Sequence, residues 1–448
     1  MFDVRCSRRS ESGSVLIIVL WIALGLATLT LYFANSSSFE LQASDNRISG
    51  LESEEAIDGA ARYVTFVLAN YATNGTMPDQ TYYQTAAVAV GDSYFWLIGR
   101  DTNNPPINPD QVCFGLTDEN SKLNINTATL AMLSSLPRIL PDFAANIITW
   151  RTNDTSSGGV GPEEYAMLSP SYNPKQQPFE TTDELRLVYG ADMDTLVGED
   201  ANRNGVLDPN EVDENRNSLS DPGILEYVTA FSREPNTHPD GSALINVHTL
   251  NNATRAQLNS LLVTNLSPTR LVAVTNALGR INGNIASPLR FYLDSTMTSD
   301  EFALVADQIT TITNAFIDGR ININTASAAV LACVPGLSNY VDQVVSYRQS
   351  NPDKLSSIAW LIDAVGLQGG QARQLANQIG NRITTKSYQF MADVAAVGPY
   401  GRGYRRVRFI FDTSEGTPRI IYRRDFTHLG WALGKNVRQA VLAKNTQS

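Results

Sequence analysis

The chain opens with an unbroken apolar run that passes into an amphipathic segment. Residues 15–34 carry no charged side chain and are about as numerous as a helix needs to cross a bilayer core of roughly 30 Å. No proline interrupts residues 41–71, where apolar residues recur at helical spacing opposite charged ones. We predict one stem helix over residues 14–72, transmembrane over about 15–34. A membrane anchor followed by an unrelated helix is the alternative.

Two strand-rich blocks bracket a long helical middle. Short runs in residues 79–120 and 387–448 are rich in β-branched and aromatic residues or alternate apolar with polar ones, separated by turn residues, as is typical of β-strands. The predicted strands are residues 82–90, 93–98, 112–116, 389–396, 404–412 and 419–425. We therefore predict an α+β fold in which the stem helix packs on a small antiparallel sheet built from both ends of the chain. The middle is a large all-α insertion.

The helical middle contains an internal repeat. LNINTATLAMLSSLP begins at Leu123, ININTASAAVLACVP begins at Ile321, and the degenerate copy INVHTLNNATRAQLNSLL begins at Ile245. In each copy a threonine or asparagine is suited to cap the helix that follows, and further helical segments follow at residues 144–151, 270–278 and 341–348. Because a repeat of this kind marks a structural unit, we predict three modules in series, at residues 121–240, 241–318 and 319–386.

The sharpest chemical motif is the loop DANRNGVLDPNE, residues 200–211. Oxygen-bearing side chains fall at its first, third, fifth, ninth and twelfth places, with a glycine sixth, where the chain must turn sharply. Calcium takes about six to eight oxygen ligands, and this spacing wraps a single loop around the ion. The predicted calcium ligands are Asp200, Asn202, Asn204, the carbonyl of Val206, Asp208 and Glu211. A solvated acidic turn is the alternative.

A second, incomplete cluster follows the first loop directly. Its candidate calcium ligands are Asp213, Asn215, Asn217 and Asp221. Ser218 replaces the glycine and Ile224 occupies the twelfth place, so we expect a weaker site, with Glu226 as a candidate for the missing carboxylate. No clear pair of helices flanks the loops, which indicates a structural clamp. At the millimolar calcium concentration found outside the cytoplasm, a site with a dissociation constant of about 10⁻⁴–10⁻³ M would still be largely filled.

Composition excludes several functions. The 448 residues carry a formal net charge of −11, which argues against a nucleic-acid partner because phosphate binding needs a clustered basic surface. The three histidines are not spaced as zinc ligands, and CxxC, HExxH, GxSxG and phosphate-loop motifs are absent from the sequence. No catalytic residue is predicted.

Three cysteines are too few for a disulfide framework. Cys6 lies in the segment that we expect to be removed. We expect Cys113 and Cys333 to be buried free thiols, with a disulfide between them as the alternative.

The residues before the apolar run identify a resemblance. Arg8, Arg9 and Gly13 precede SVLIIVLW, and the arginines put the N-terminus in the cytoplasm and the rest of the chain across the membrane. Gly13 and the apolar run resemble the processing region of type IV pilin-like proteins, above all the protein K family of minor pseudopilins of type II secretion systems. The repeated NINTA resembles the SAM-like, helix-hairpin-helix units inserted in that family.

The resemblance implies how the N-terminus is processed. Prepilin peptidase would cut between Gly13 and Ser14, removing the leader, residues 1–13, and methylating the new terminus. Ser14 departs from the larger apolar residue usual there. The fifth mature residue is Ile18, where major pilins place a glutamate that neutralises a neighbour's amino terminus, because an unpaired charge in an apolar setting is costly. The family also lacks that glutamate, which implies a tip position.

The function implied is structural rather than enzymatic. The resemblance implies a single-pass inner-membrane protein with its bulk in the periplasm, which caps the pseudopilus, initiates its assembly and supports protein export across the outer membrane. The expected partners are the other minor pseudopilins, the pseudopilus, the inner membrane and prepilin peptidase, and the expected cofactor is calcium.

Two other functions remain open. One is a pilin-like DNA-uptake protein that uses its helix-hairpin-helix modules. The hairpin of the third module, residues 334–337, contains a glycine, Gly336, whereas the hairpin of the first, residues 136–139, has none. Few basic residues flank either hairpin, which favours protein packing over DNA binding. The other is a periplasmic enzyme on a membrane stalk.

Overall fold

The computed structural model describes residues 12–72, 75–103, 105–281 and 283–445. Cys6, Arg8, Arg9 and most of the predicted leader lie outside these ranges. The helices are α1 Ser12–Tyr71, α2 Leu130–Leu133, α3 Pro141–Thr152, α4 Pro162–Ala166, α5 Met193–Leu196, α6 Asn252–Asn265, α7 Pro268–Gly279, α8 Pro288–Ser295, α9 Ser299–Ala303, α10 Ala328–Ala332, α11 Val341–Ser350, α12 Trp360–Val365, α13 Gly369–Ile379 and α14 Gly434–Asn445.

The strands of the insertion have two or three residues, and the longest strands belong to the sheet built from both chain ends, which we call the head sheet. They are β1 Val88–Val90, β2 Ser93–Ile98, β3 Thr117–Asp118, β4 Leu123–Asn124, β5 Val228–Thr229, β6 Arg233–Pro235, β7 Ile245–Asn246, β8 Ile309–Thr310, β9 Phe316–Asp318, β10 Ile321–Asn322, β11 Ile383–Thr384, β12 Gln389–Val397, β13 Arg405–Asp412 and β14 Arg419–Asp425.

Helix α1 is continuous for 60 residues and changes character along its length. Among the described residues it is the one helix long and apolar enough to cross a membrane, and its most apolar window has a mean hydropathy of 2.5 and is 0% buried. Burial begins at Ser49. At the rise of a regular helix, the exposed length before Ser49 spans about 50 Å, more than a bilayer core requires.

The second half of α1 packs on one face of an antiparallel sheet. Strand order in the sheet is β1-β2-β12-β13-β14, with β3 also paired to β12. Small and branched side chains of α1, including Ala60 and Val64, share a core with Phe390, Val394 and Phe409 of the sheet. The small alanine side chains of α1 at this contact let the helix backbone lie close to the strands. The predicted α+β class, with the stem helix on a sheet assembled from both chain ends, is confirmed.

The local predictions for the head were less accurate. The strand predicted over residues 82–90 is reduced to β1, because Asp79 caps a 3₁₀ turn at Gln80–Tyr82 and Ala87 adopts a left-handed φ of 51°. The strand predicted at 112–116 is a loop with one bridge, Ile98 to Phe114. Helix α14 was not predicted. Its apolar side covers the other face of the sheet.

The three repeat copies share one architecture. Each opens with a two-residue strand that pairs in parallel with a two-residue strand at the end of the copy: β4 with β5, β7 with β8 and β10 with β11. In each copy the asparagine of the opening strand accepts a hydrogen bond from the amide two residues later. These bonds run from Asn126 to Asn124 (2.8 Å), from His248 to Asn246 (2.9 Å) and from Asn324 to Asn322 (3.0 Å). The degenerate copy therefore closes as the other two do.

Candidate metal site

The two acidic loops form one continuous excursion of the chain, residues 199–221, whose two ends lie side by side. It leaves the chain after α5 and returns at a 3₁₀ turn, Ile224–Glu226. Gly198 and Pro222 form an antiparallel bridge across the base, and a Cβ on Gly223 would lie 2.4 Å from the Leu196 carbonyl carbon. This close approach places the residue before the first loop beside the end of the second.

In the first loop the terminal carboxylates fold inward onto the loop backbone. Asp200 accepts hydrogen bonds from the amides of Asn204 (2.9 Å) and Gly205 (2.8 Å), and Gly205 has a φ of +87°, which favours glycine at this turn. Glu211 accepts from the amides of Asn202 (3.1 Å) and Asp208 (2.9 Å). The first and twelfth places of the motif are thus both turned toward the interior of the loop.

The amide side chains of the first loop converge on one carboxylate oxygen. Asn202 and Asn204 donate from Nδ2 to Oδ2 of Asp208, at 2.6 and 2.8 Å. Oδ1 of Asn202 is buried and has no hydrogen-bond partner, which is costly for a polar atom. Turning an asparagine amide over exchanges its donor for its acceptor, so these groups would present oxygens where they now present nitrogens. The donor set fits a hard, oxygen-seeking cation.

Burial shapes the electrostatics of the first loop. Asp200 is 1% exposed, and burial raises the pKa of both Asp200 and Glu211 above the ordinary value. Among the described residues, no three His, Cys, Asp or Glu side chains are grouped as a metal site. The amide oxygens of the asparagines are therefore essential to any calcium site in this loop.

The second loop repeats these contacts at a more exposed position. Asp213 accepts from the amides of Asn217 (3.2 Å) and Ser218 (2.9 Å), as Asp200 does from its own loop. Asn215 and Asn217 both donate to Asp221. Ser218, where the first loop has glycine, adopts a φ of 60°. The candidate ligands of the second loop are therefore brought together.

A glutamate from outside the second loop occupies the place of its missing carboxylate. Glu199 accepts hydrogen bonds from the amides of Glu214 (2.8 Å) and Asp221 (3.1 Å), and the second bond matches that from Asp208 to Glu211 in the first loop. Glu226, the candidate from the sequence, is engaged by Arg100, which holds its two oxygens at 2.6 and 3.1 Å. The motif spacing could not indicate Glu199, since it precedes the first loop and only the contact between the two ends of the excursion brings it near.

The predicted processing residues lie at the start of the stem. Gly13 and Ser14 fall within α1, and the side chain of Ser14 is outside the described part of the chain. Ile18 is 55% exposed on the apolar half of the helix. No ionisable side chain stands at this position.

The hairpin groups that could bind phosphate are already engaged in the first and third modules. Gly336 has a φ of +84°, and a Cβ there would lie 2.6 Å from Gln378 and 3.0 Å from Leu375 on α13. In the first module Arg138 is ion-paired with Asp194 and Glu214. A glycine hairpin under another helix and a neutralised arginine are poorly placed to hold a phosphate backbone.

The two described cysteines are free. Cys333 is buried, and burial raises the pKa of its thiol to about 12. Cys113 is exposed, so the expectation that it would be buried was wrong. It lies in the loop between β2 and β3 and not in the strand predicted there.

Comparison with known proteins finds similarity among solved structures. No family model and no curated protein matches the chain. The chain is similar to one in "The Crystal Structure of the GspK-GspI-GspJ complex from enterotoxigenic Escherichia coli Type 2 Secretion System", with a TM-score of 0.38 and 10% sequence identity, covering 84% of this chain and 96% of that one. At this identity no residue role is transferred.

Proposed function

We propose that the chain is a minor pseudopilin of a type II secretion system, anchored in the inner membrane with its head in the periplasm. The observation that carries this proposal is the continuity of α1. Its first half is apolar and exposed, and one side of its second half is buried against the head sheet. Because no break separates the halves, the apolar segment is a rigid extension of the head. It can leave the lipid and pack among sister helices without any rearrangement of the head.

The head and the stem both favour a place at the tip. Ile18 offers no carboxylate to a neighbouring amino terminus. The insertion between β3 and β12 adds three modules to the head, which would stand in the way of a subunit above. We therefore place this chain at the end of the fibre, where it caps the pseudopilus with other minor pseudopilins, starts assembly and so supports export across the outer membrane.

Labelling of fibres tests the tip position. With a small epitope after residue 445, the mature protein should appear at one fibre end, together with the other minor pseudopilins. A Gly13→Leu variant should remain unprocessed and be missing from fibres, which makes it the matched control. Intact mass of the wild type should show Ser14 as the first residue, with methylation as added mass. Label distributed along the fibres would refute the capping role.

The loops are proposed to hold two calcium ions as structural clamps. Asp200, Asn202, Asn204, the Val206 carbonyl, Asp208 and Glu211 would hold the first, and Asp213, Asn215, Asn217, Asp221 and Glu199 the second. The ion supplies positive charge to a buried acidic loop. A melting scan of the full chain in detergent should show a higher Tm with calcium than after chelation, and Asp200→Asn should reduce that difference. Coincident wild-type curves would refute calcium binding.

A further inference from the structure

We propose that the first calcium loop acts as a latch between the helical insertion and the head sheet. Calcium binding in this loop would then increase the conformational order of sheet strands that are far away along the sequence. This inference rests on the proposed calcium binding. It concerns Asn202, which is a candidate ligand, and its neighbour Arg203, which is not. It also concerns the arginines of the head that contact the backbone of these two residues.

The backbone of the first loop is bound directly by buried arginines of the head. Arg406 of β13 is fully buried and donates hydrogen bonds to the carbonyls of Asn202 and Arg203, the latter at 2.8 Å. Arg100, which follows β2, also donates to the Arg203 carbonyl, at 2.8 Å. Asn202 therefore has its side chain in the candidate metal site and its carbonyl on the sheet.

These arginines are fixed by two carboxylates, one in the head sheet and one in the turn that ends the two acidic loops. Asp393 of β12 accepts from Arg406 at 2.8 and 2.7 Å and from Arg408 at 2.6 Å, while Glu226 holds Arg100. A planar guanidinium held at two points has little freedom to follow a moving acceptor. The loop must therefore present its carbonyls in one conformation for these bonds to form.

The segment after β14 joins the same contact. Arg203 lies between two candidate ligands of the first loop, and its guanidinium is 5.3 Å from the centre of the Phe426 ring. Residues 426–431 connect the edge strand to α14, which covers the outer face of the sheet. Order in the first loop is thus coupled to the sheet and to its C-terminal cover.

The second loop provides an internal control for this coupling. Among the described residues, its side chains make no hydrogen bond or ion pair to β12, β13 or residues 426–431. Its contacts run to Glu199 and to Arg138 of the first module. Loading the second loop should therefore stabilise the excursion without changing the sheet. Calcium binding and conformational order are linked reciprocally. The two loops should therefore differ in how strongly calcium binding in each one changes the order of the head sheet.

Hydrogen exchange of the full chain in detergent, with calcium and after chelation, tests the latch. In the wild type, calcium should slow exchange by at least about fivefold, a modest allosteric coupling, in residues 199–211 and also in residues 389–412 and 426–433. Asp200→Asn should abolish the effect on the sheet. Asp213→Asn, the equivalent change in the second loop, should preserve it. Asp208→Asn, at a half-buried position, serves as a second first-loop variant if Asp200→Asn does not fold.

The outcomes separate the latch from calcium binding itself. If calorimetry shows calcium binding but slowed exchange stays within residues 199–226, the latch is refuted and the calcium proposal stands. If calorimetry shows no binding, both fail. If Asp213→Asn abolishes protection of the sheet as fully as Asp200→Asn, the first loop has no special role and the latch is again refuted.

Discussion

Arg406 and Asp393 form a two-point ion pair on adjacent strands of the head sheet, and both side chains are 0% exposed. Arg408, which is directly opposite Asp393 in the β12–β13 register, donates to the same carboxylate. Burial would raise the pKa of Asp393, but Arg406 and Arg408 outweigh it and hold that pKa below its usual range. One carboxylate thus keeps two guanidiniums ordered beneath the first loop.

Removing the charge of Asp393 should be strongly destabilising. In Asp393→Asn, two buried guanidiniums lose their counter-ion, and breaking a buried pair on one side costs about 3–5 kcal/mol. Urea unfolding of the full chain in detergent measures the change. The control is Glu415→Gln, which breaks the exposed pair with Arg419 and should cost less than about 1 kcal/mol. Equal losses in both variants would contradict this account.

The sequence predicted the features that depend on local periodicity. The stem helix and strands β12, β13 and β14 follow from the spacing of apolar residues over consecutive positions. The Arg406–Asp393 pair could not be predicted in this way, because it needs the register between two strands and the placement of an insertion. Helix α14 was missed because, among its described residues, only Val437 and Val441 pack against the sheet, and two apolar residues one turn apart are too short a pattern to identify a helix.

The candidate metal site shows the same division. The ligands of the first loop follow one fixed spacing, so their convergence could be predicted residue by residue. Glu199 could not, because spacing rules search forward within a loop for the twelfth ligand. Its position depends on the bridge between Gly198 and Pro222, and no periodic pattern in the sequence predicts this contact.

The turn between β12 and β13 should be intolerant of a side chain where it meets the stem. A Cβ on Gly403, whose φ is +67°, would lie 2.2 Å from the Ser49 carbonyl oxygen. Gly403→Ala should therefore lose about 1–3 kcal/mol from overpacking, in addition to the cost of a left-handed φ. Gly91→Ala is the matched control, because Gly91 has a φ of +58° with nothing within 4 Å. Similar thermal unfolding of the two variants would rule out a close helix contact at Gly403.

Glu199 should determine how many calcium ions bind. Its carboxylate stands where a twelfth ligand of the second loop belongs, so Glu199→Gln should reduce the stoichiometry measured by calorimetry by one ion and leave the first loop loaded. Glu214→Gln is the control, because that side chain points to Arg138 at 2.7 Å. Loss of an ion in the Glu214 variant, or none in the Glu199 variant, would refute this assignment.

Asp118 should make the stability of the head depend on pH. It is buried where β3 meets the third module, and it accepts from Asn322, Thr325 and Ser387 at 2.9, 2.6 and 2.6 Å. Burial raises the pKa of Asp118 from 3.8 to about 6, although these hydrogen bonds oppose the shift. A raised pKa in the folded state means that protonation favours folding. The stabilisation is complete below about pH 4 and is lost as the pH rises through about 6.

The Asp118→Asn variant isolates this effect, because asparagine does not titrate. The free energy of unfolding of the wild type, relative to the variant, should be larger at pH 4 than at pH 7 by about 2 kcal/mol, since one pKa unit corresponds to about 1.4 kcal/mol and the unfolded carboxyl is still partly ionised at pH 4. Asp79→Asn is the control. Hydrogen bonds from Thr81 lower the pKa of this exposed carboxyl, so its contribution is lost on acidification and the corresponding difference should be small and of opposite sign. A wild-type advantage over Asp118→Asn that is constant, or that shrinks on acidification, would show that the carboxylate stays ionised among its donors.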